Sequence, residues 1–120
     1  MKMYCIFACE SIEKMGGNRG KLAAQAGHAF VGAYQGAAVN FKRRLRDYGP
    51  ETGEPKIVLV ADTVDDLLSL RDAYVHKHPL CYVTDAARTV FVEPTVTCIA
   101  IGPISDDDVG ADIKSLKVLL

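Results

Sequence analysis

The sequence predicts an α/β domain in which a mostly parallel or mixed sheet of about four strands is covered by helices on both faces. Met3-Tyr4-Cys5-Ile6-Phe7-Ala8 is a nearly continuous apolar run, the pattern of a strand covered on both sides. Lys21 to Gly36 is alanine-rich with helical periodicity, and Lys56 to Ala61 followed by Val64 to Val75 repeats the alternation of strand and helix.

The elements follow in order. After the first strand, Glu13 to Gly20 reads as a loop, because its glycines and Asn18 favour left-handed or turn conformations. Lys21 to Gly36 is the first helix, and Val39 to Tyr48 reads as a second one carrying the basic run Lys42-Arg43-Arg44-Leu45-Arg46. Gly49 to Pro55 is a turn cluster, and Lys56 to Ala61 a second buried strand. Asp62 and Thr63 offer capping side chains for Val64 to Val75, where Leu67, Leu68 and Leu70 supply an apolar face. Leu80 to Val83 and Val96 to Ile101 are two more short strands joined through Thr84 to Thr95. Ser105 followed by three aspartates is an acidic helix start that complements the macrodipole.

Length and composition fit one domain over residues 1–120. The formal charge of −1 gives no global reason for nucleic-acid binding, so any RNA contact has to come from a local basic patch, which Lys42 to Arg46 supplies. The opening apolar run is too short for a signal peptide and no run approaches a membrane span, which predicts a soluble, unprocessed, cytoplasmic protein with no membrane partner. Cys5, Cys9, Cys81 and Cys98 form no CxxC pair and sit in or beside strand-like runs, so they read as buried reduced thiols, and no metal site is expected.

At about 100° per residue, Lys21, Gln25 and His28 share a stripe roughly 60° wide. Ala24 and Gly32 flank it, while Leu22, Ala23, Ala26, Ala29, Phe30 and Ala33 should face the core. A lysine at a helix N-terminus is unfavourable with the macrodipole unless an anion is near. The glycine-rich loop, the free amides of the first turn, Arg19 and Lys21 therefore suit a phosphate or an oxyanion. The same stripe also describes a solvated helix face. Asp85-Ala86-Ala87-Arg88-Thr89, just after a strand, reads either as an exposed turn or as a carboxylate held to orient water. Thr97 alone signals only strand propensity.

Taken together, Gly20-Lys21-Leu22-Ala23-Ala24-Gln25-Ala26-Gly27-His28-Ala29 and Gly32-Ala33-Tyr34 resemble the first helix of the type 2 peptidyl-tRNA hydrolases. Glu54-Pro55-Lys56-Ile57-Val58-Leu59, Asp85-Ala86-Ala87-Arg88-Thr89 and Thr97-Cys98-Ile99-Ala100-Ile101-Gly102-Pro103 match further blocks of that family, in the family's order and over nearly the whole chain. The resemblance implies a three-layer α/β/α sandwich around a four-stranded mixed sheet, usually a homodimer, acting on peptidyl-tRNA without metal or organic cofactor. It implies Lys21, His28, Asp85 and Thr97 as active-site residues and Gln25, Arg88 and Thr89 as supporting ones. Arg19 with Lys42, Arg43, Arg44 and Arg46 are the expected contacts to the tRNA backbone.

The chain departs from the family pattern at several points. Ala26-Gly27 stands where Cys-Ser is usual before the histidine, and Ala87 where glycine is usual. The arginine and aspartate that commonly end the family's first strand are not recognisable in Ala8-Cys9-Glu10-Ser11, the Gly16 to Gly20 loop is longer, and extra residues lie between Tyr48 and Glu54. The expected reaction is ester hydrolysis, with Asp85 directing water, Lys21 meeting developing negative charge and His28 relaying a proton or fixing Asp85. No serine or cysteine stands where a nucleophile belongs, which favours direct attack by water. Two alternatives stay open: a catalytically weak tRNA-binding or protein-interaction module, and a deacylase acting on a related acyl-tRNA.

Overall fold

Strand β1 (Lys2–Ala8) runs through the middle of the sheet, and Met3 to Ala8 are all buried. The computed structural model describes residues 1–85 and 95–120, with Asp85 and Thr95 described as backbone. After β1 come helices α1 (Cys9–Lys14) and α2 (Arg19–Asn40), strand β2 (Lys56–Ala61), helix α3 (Val64–Tyr74) and strands β3 (Leu80–Asp85) and β4 (Thr95–Ile104). A short helix α4 (Ala111–Lys114) and a two-residue strand β5 (Lys117–Val118) close the chain. The sheet order is β3-β4-β1-β2-β5. β1 and β2 are parallel and the other pairs antiparallel, so the fold is α/β with a mixed sheet.

Because side chains alternate across a strand, β1 feeds two separate cores. Met3, Cys5 and Phe7 pack with Leu22, Ala26, Ala29, Phe30 and Ala33 of α2. Tyr4, Ile6 and Ala8 pack with Leu67, Leu70 and Tyr74 of α3 and with Ile113 of α4. Each fully buried large apolar side chain contributes roughly 1.5–3 kcal/mol. The alanines of α2 let the helix lie close to the sheet, and Gly32 is the nearest point: a Cβ there would run into Cys81 Sγ and sit 3.1 Å from Cys81 Cβ on β3.

Several expectations change. The sheet has five strands rather than four, the fifth being β5 against β2. The loop expected over Glu13 to Gly20 is shorter at both ends, since Glu13 and Lys14 close α1 and Arg19 and Gly20 open α2, and the break falls at Gly16 and Gly17, with φ of 68° and 65°. Helix α2 spans 22 residues, longer than Lys21 to Gly36, and the second helix expected over Val39 to Tyr48 is the end of α2 followed by a 3-10 turn, Lys42–Arg46. Ala23 is exposed rather than core-facing, and of the four cysteines Cys9 is exposed and Cys81 partly so. β4 runs on to Ile104 past an irregularity at Gly102, where φ is 123° and a Cβ would stand 2.7 Å from Lys2 O.

Gly32→Ala should destabilise the fold by about 1–3 kcal/mol through overpacking, with much of the loss recovered by adding Cys81→Ala. Gly36→Ala meets nothing within 4 Å and should stabilise by up to about 1 kcal/mol. Urea unfolding of the three variants checks both signs; equal behaviour of Gly32→Ala and Gly36→Ala would contradict the packing described.

Candidate active site

The start of α2 is built locally. Asn18 is the N-cap, its side-chain oxygen accepting from Lys21 N at 3.0 Å, and no acidic residue stands in the first turn. Arg19 and Lys21 thus bring positive charge to the positive end of a long helix, at a cost of about 0.3–1 kcal/mol that a bound anion offsets. The two residues diverge around the helix. Lys21 begins the stripe with Gln25 and His28, whereas Arg19 lines a largely apolar cavity of about 460 Å³ with Phe7, Leu22, Ala23, Ala26 and Val58.

The edge of the stripe lies over β4 and β3. Thr97, only 2% exposed, places Oγ1 2.9 Å from the Gln25 side-chain oxygen and 3.2 Å from Val83 O. A hydroxyl carries one proton, so it cannot donate fully to both. If the Gln25 amide is turned so that its NH2 donates to Thr97, the hydroxyl serves Val83 O and the Gln25 oxygen points outward. The backbone explains how Thr97 reaches the helix. Val83 pairs with Cys98 but Thr84 with Val96, so Thr97 is the extra residue of a β-bulge, which re-aims its side chain. Cys98 Sγ contacts Gln25 O at 3.7 Å on the same face.

Asp85 ends β3 and pairs through its backbone with Thr95, two residues after the Val83 carbonyl that Thr97 reaches. Gln25 and Thr97 therefore meet under α2 near the carboxyl end of β3, with Lys21 one turn earlier on the helix and the Asp85 backbone two residues beyond Val83. His28 is exposed one turn beyond Gln25. Arg88 and Thr89 lie outside the described residues.

The basic run stands apart. Lys42 follows Lys21 by a length of helix of roughly 30 Å. Lys42, Arg43 and Arg46 are exposed, but Arg44 is not: Nη1 meets His78 Nδ1 at 2.8 Å and donates to Pro103 O at 2.9 Å, and Nη2 donates to Lys77 O at 2.9 Å.

Two other residues near the end of β1 escaped sequence reasoning because their partners are remote. Glu10 Oε1 accepts from Val64 N at 2.6 Å and so caps α3, and buried Ser11 donates from Oγ to Val96 O at 2.9 Å. Ser11 thereby ties α1 to β4 one residue before Thr97. Their residue types carried the only signal, a carboxylate and a hydroxyl in a segment that breaks the apolar run. Contact with the Cys98 sulfur, then burial, pushes the Cys5 thiol far up, which keeps it protonated and inert.

A cavity of about 620 Å³ lies instead beside α3 and is lined by Cys9, Asp62, Asp66, Ser69, Asp112 and Lys117 among others. Its carboxylates would repel a phosphate-rich ligand, whereas the Lys21 stripe is an open surface suited to a macromolecule. No described helix is long and apolar enough to cross a membrane.

An α/β domain with a cationic helix start and a polar cluster at a strand end has the arrangement that suits an anionic ligand at the carboxyl edge of a sheet. A family model described as peptidyl-tRNA hydrolase PTH2 matches residues 1–119. A probable peptidyl-tRNA hydrolase 2 of Drosophila melanogaster is 36% identical over 107 residues, 88% of this chain and 56% of that protein. Peptidyl-tRNA hydrolases of Haloquadratum walsbyi and Methanococcus vannielii are 37% and 34% identical, over 83% and 88% of this chain and 87% and 90% of theirs. The chain spans about half the length of the Drosophila relative and most of the other two. It belongs to the peptidyl-tRNA hydrolase PTH2 family.

Thr97→Val keeps the shape but removes the hydroxyl, and should cost about 1 kcal/mol or more of stability and about tenfold in turnover as Gln25 loses its tether. Thr97→Ser should keep both. Paired unfolding and turnover measurements check this, and a fully active Thr97→Val would show that the tether is dispensable.

Proposed function

We propose that the chain hydrolyses the ester joining peptide to tRNA by direct attack of water, at the surface where Lys21, Gln25, His28, Thr97 and Asp85 meet. The observation that carries the reading is the Gln25–Thr97 contact, which joins positions 72 residues apart that were implicated separately. Water oxygen adds to the ester carbonyl carbon, the bond to the ribose oxygen breaks, and the products are a peptide acid and a free tRNA hydroxyl. Asp85 orients the water and takes its proton. Lys21 and the amides at the start of α2 meet the negative charge that develops on the carbonyl oxygen or hold the terminal phosphate. His28 relays the proton to the leaving ribose oxygen or fixes Asp85, and Gln25, with Arg88 and Thr89, supports these groups. Thr97 acts through Gln25, as its burial requires.

The tRNA backbone runs over Lys42, Arg43 and Arg46, with Arg19 near the acceptor end, through phosphate contacts indifferent to base sequence. On this reading residues 1–120 form one domain that works in the cytoplasm as a homodimer, with the three-layer α/β/α arrangement that two separate cores on one sheet support. The departures at Ala26 and Gly27 weigh less than their position in the motif suggests. Ala26 is buried in the core, and Gly27 lies about 100° around the helix from His28, so the missing hydroxyl is not on the stripe. That favours the hydrolase over the binding-module reading.

Single-turnover release from a labelled N-blocked aminoacyl-tRNA tests the proposal. Lys21→Ala and Asp85→Ala should each lose about 100-fold or more, and Gly27→Ser should stay near the native rate. Binding of tRNA with no release by the native protein would leave the binding module instead.

A further inference from the structure

The basic turn contains four cations, and one of them is used inward. Arg44 spends its guanidinium on the body of the protein: His78 Nδ1 at 2.8 Å, Pro103 O and Lys77 O each at 2.9 Å, and the Phe41 ring, whose centroid lies 4.8 Å away. These partners come from the end of β4, the connection after α3 and the end of α2. One side chain thus fixes the Lys42–Arg46 turn to three parts of the fold, while Lys42, Arg43 and Arg46 remain exposed.

We propose that Arg44 is a positioning residue for tRNA rather than a phosphate ligand, a clamp that holds Lys42, Arg43 and Arg46 as one array and that works only while His78 is neutral. The inference rests on the reading of this turn as a tRNA surface. A guanidinium can only donate, so His78 Nδ1 must accept, which puts the ring proton on Nε2. Protonating the ring places a hydrogen on Nδ1 against the guanidinium, loses that bond and sets two cations face to face. The groups around the ring are Arg44 and Lys77, which disfavour its charge, Asp108, which favours it, and the Tyr74 ring at 5.8 Å, whose hydroxyl is committed to Asp112.

The sign of the pH dependence follows. Burial first, then Arg44, holds His78 below its ordinary value of 6.5. Below pH 6.5 the detached or unfolded form takes up a proton that the clamped form resists, so the clamp is at full strength above 6.5 and weakens as pH falls towards the depressed value. The effect is read against a His78→Asn variant, whose side-chain oxygen can accept from Arg44 without titrating, so that pH effects from elsewhere in the protein or from the tRNA cancel.

The experiment is equilibrium binding of deacylated tRNA to the full chain over a range of salt and at pH 7.5 and 5.5. A phosphate ligand removed by Arg44→Ala takes away about one contact, a salt slope of roughly 0.7–0.9, and does so whether or not Lys42, Arg43 and Arg46 are present. A clamp takes away more than one contact in the native background and nothing further once those three are alanine. Arg44→Lys keeps the charge but not the fork, so it should lose slope if Arg44 is a clamp and keep it if Arg44 is a ligand; it also decides the matter should Arg44→Ala fail to fold. From pH 7.5 to 5.5 the native protein should lose about threefold or more in affinity relative to His78→Asn. Additive loss of one contact by Arg44→Ala, or identical pH profiles of native and His78→Asn proteins, overturns the clamp alone. A Lys42, Arg43, Arg46 triple alanine variant that binds like the native protein overturns the tRNA surface and the clamp with it.

Discussion

Strand β1 has neither a free face nor a free edge. Met3 to Ala8 are buried, pair with β2 on one side and β4 on the other, and point alternately into two cores. A strand held in this way leaves little room for polar groups along its length, so chemistry collects where the sheet's strands end. On one side α2 can lie close against the sheet because most of its facing positions are alanine, with glycine at the tightest point. That close approach brings Gln25 within hydrogen-bond reach of a buried threonine hydroxyl on β4.

Positive charge is then placed near the two ends of one helix. Lys21 stands at its start, where the macrodipole adds to the side-chain charge, and Lys42 follows its end, roughly 30 Å away. The face between them carries no acidic residue, while the carboxylates Asp62, Asp66 and Asp112 gather by α3. A chain of net charge −1 can in this way present two local cationic patches to a polyanion. The two ends differ in construction: the start of α2 depends on a local Asn18 cap, whereas the basic turn depends on Arg44 reaching across the fold.

How much of this could be read from the sequence follows from the range of each interaction. The apolar runs of β1 and β2 and the stripe of Lys21, Gln25 and His28 are local patterns, and they were legible. Helix α1 was not, because it is six residues long and Ala8 offers no side-chain cap. The length of α2 was understated because Gly36 resembles a stop, yet burial of Ala37 carries the helix on to Asn40. β5 has two exposed residues and no pattern to read. Thr97 looked like any strand threonine, since its role comes from a bulge set by pairing with Val83 and Thr84. Arg44 looked like its neighbours in a charge run, since His78 and Pro103, which separate it from them, lie 34 and 59 residues away.

The measurement that tests the account most directly is a titration of the labelled protein with a non-hydrolysable amide-linked peptidyl-tRNA analogue, followed by backbone and side-chain NMR shifts. Binding should perturb Lys21, Gln25, His28 and Thr97 together with the Lys42–Arg46 turn. Shifts centred on Asp62, Asp66 and Asp112, with the α2 stripe unmoved, would place the substrate on the other side of the sheet and contradict it.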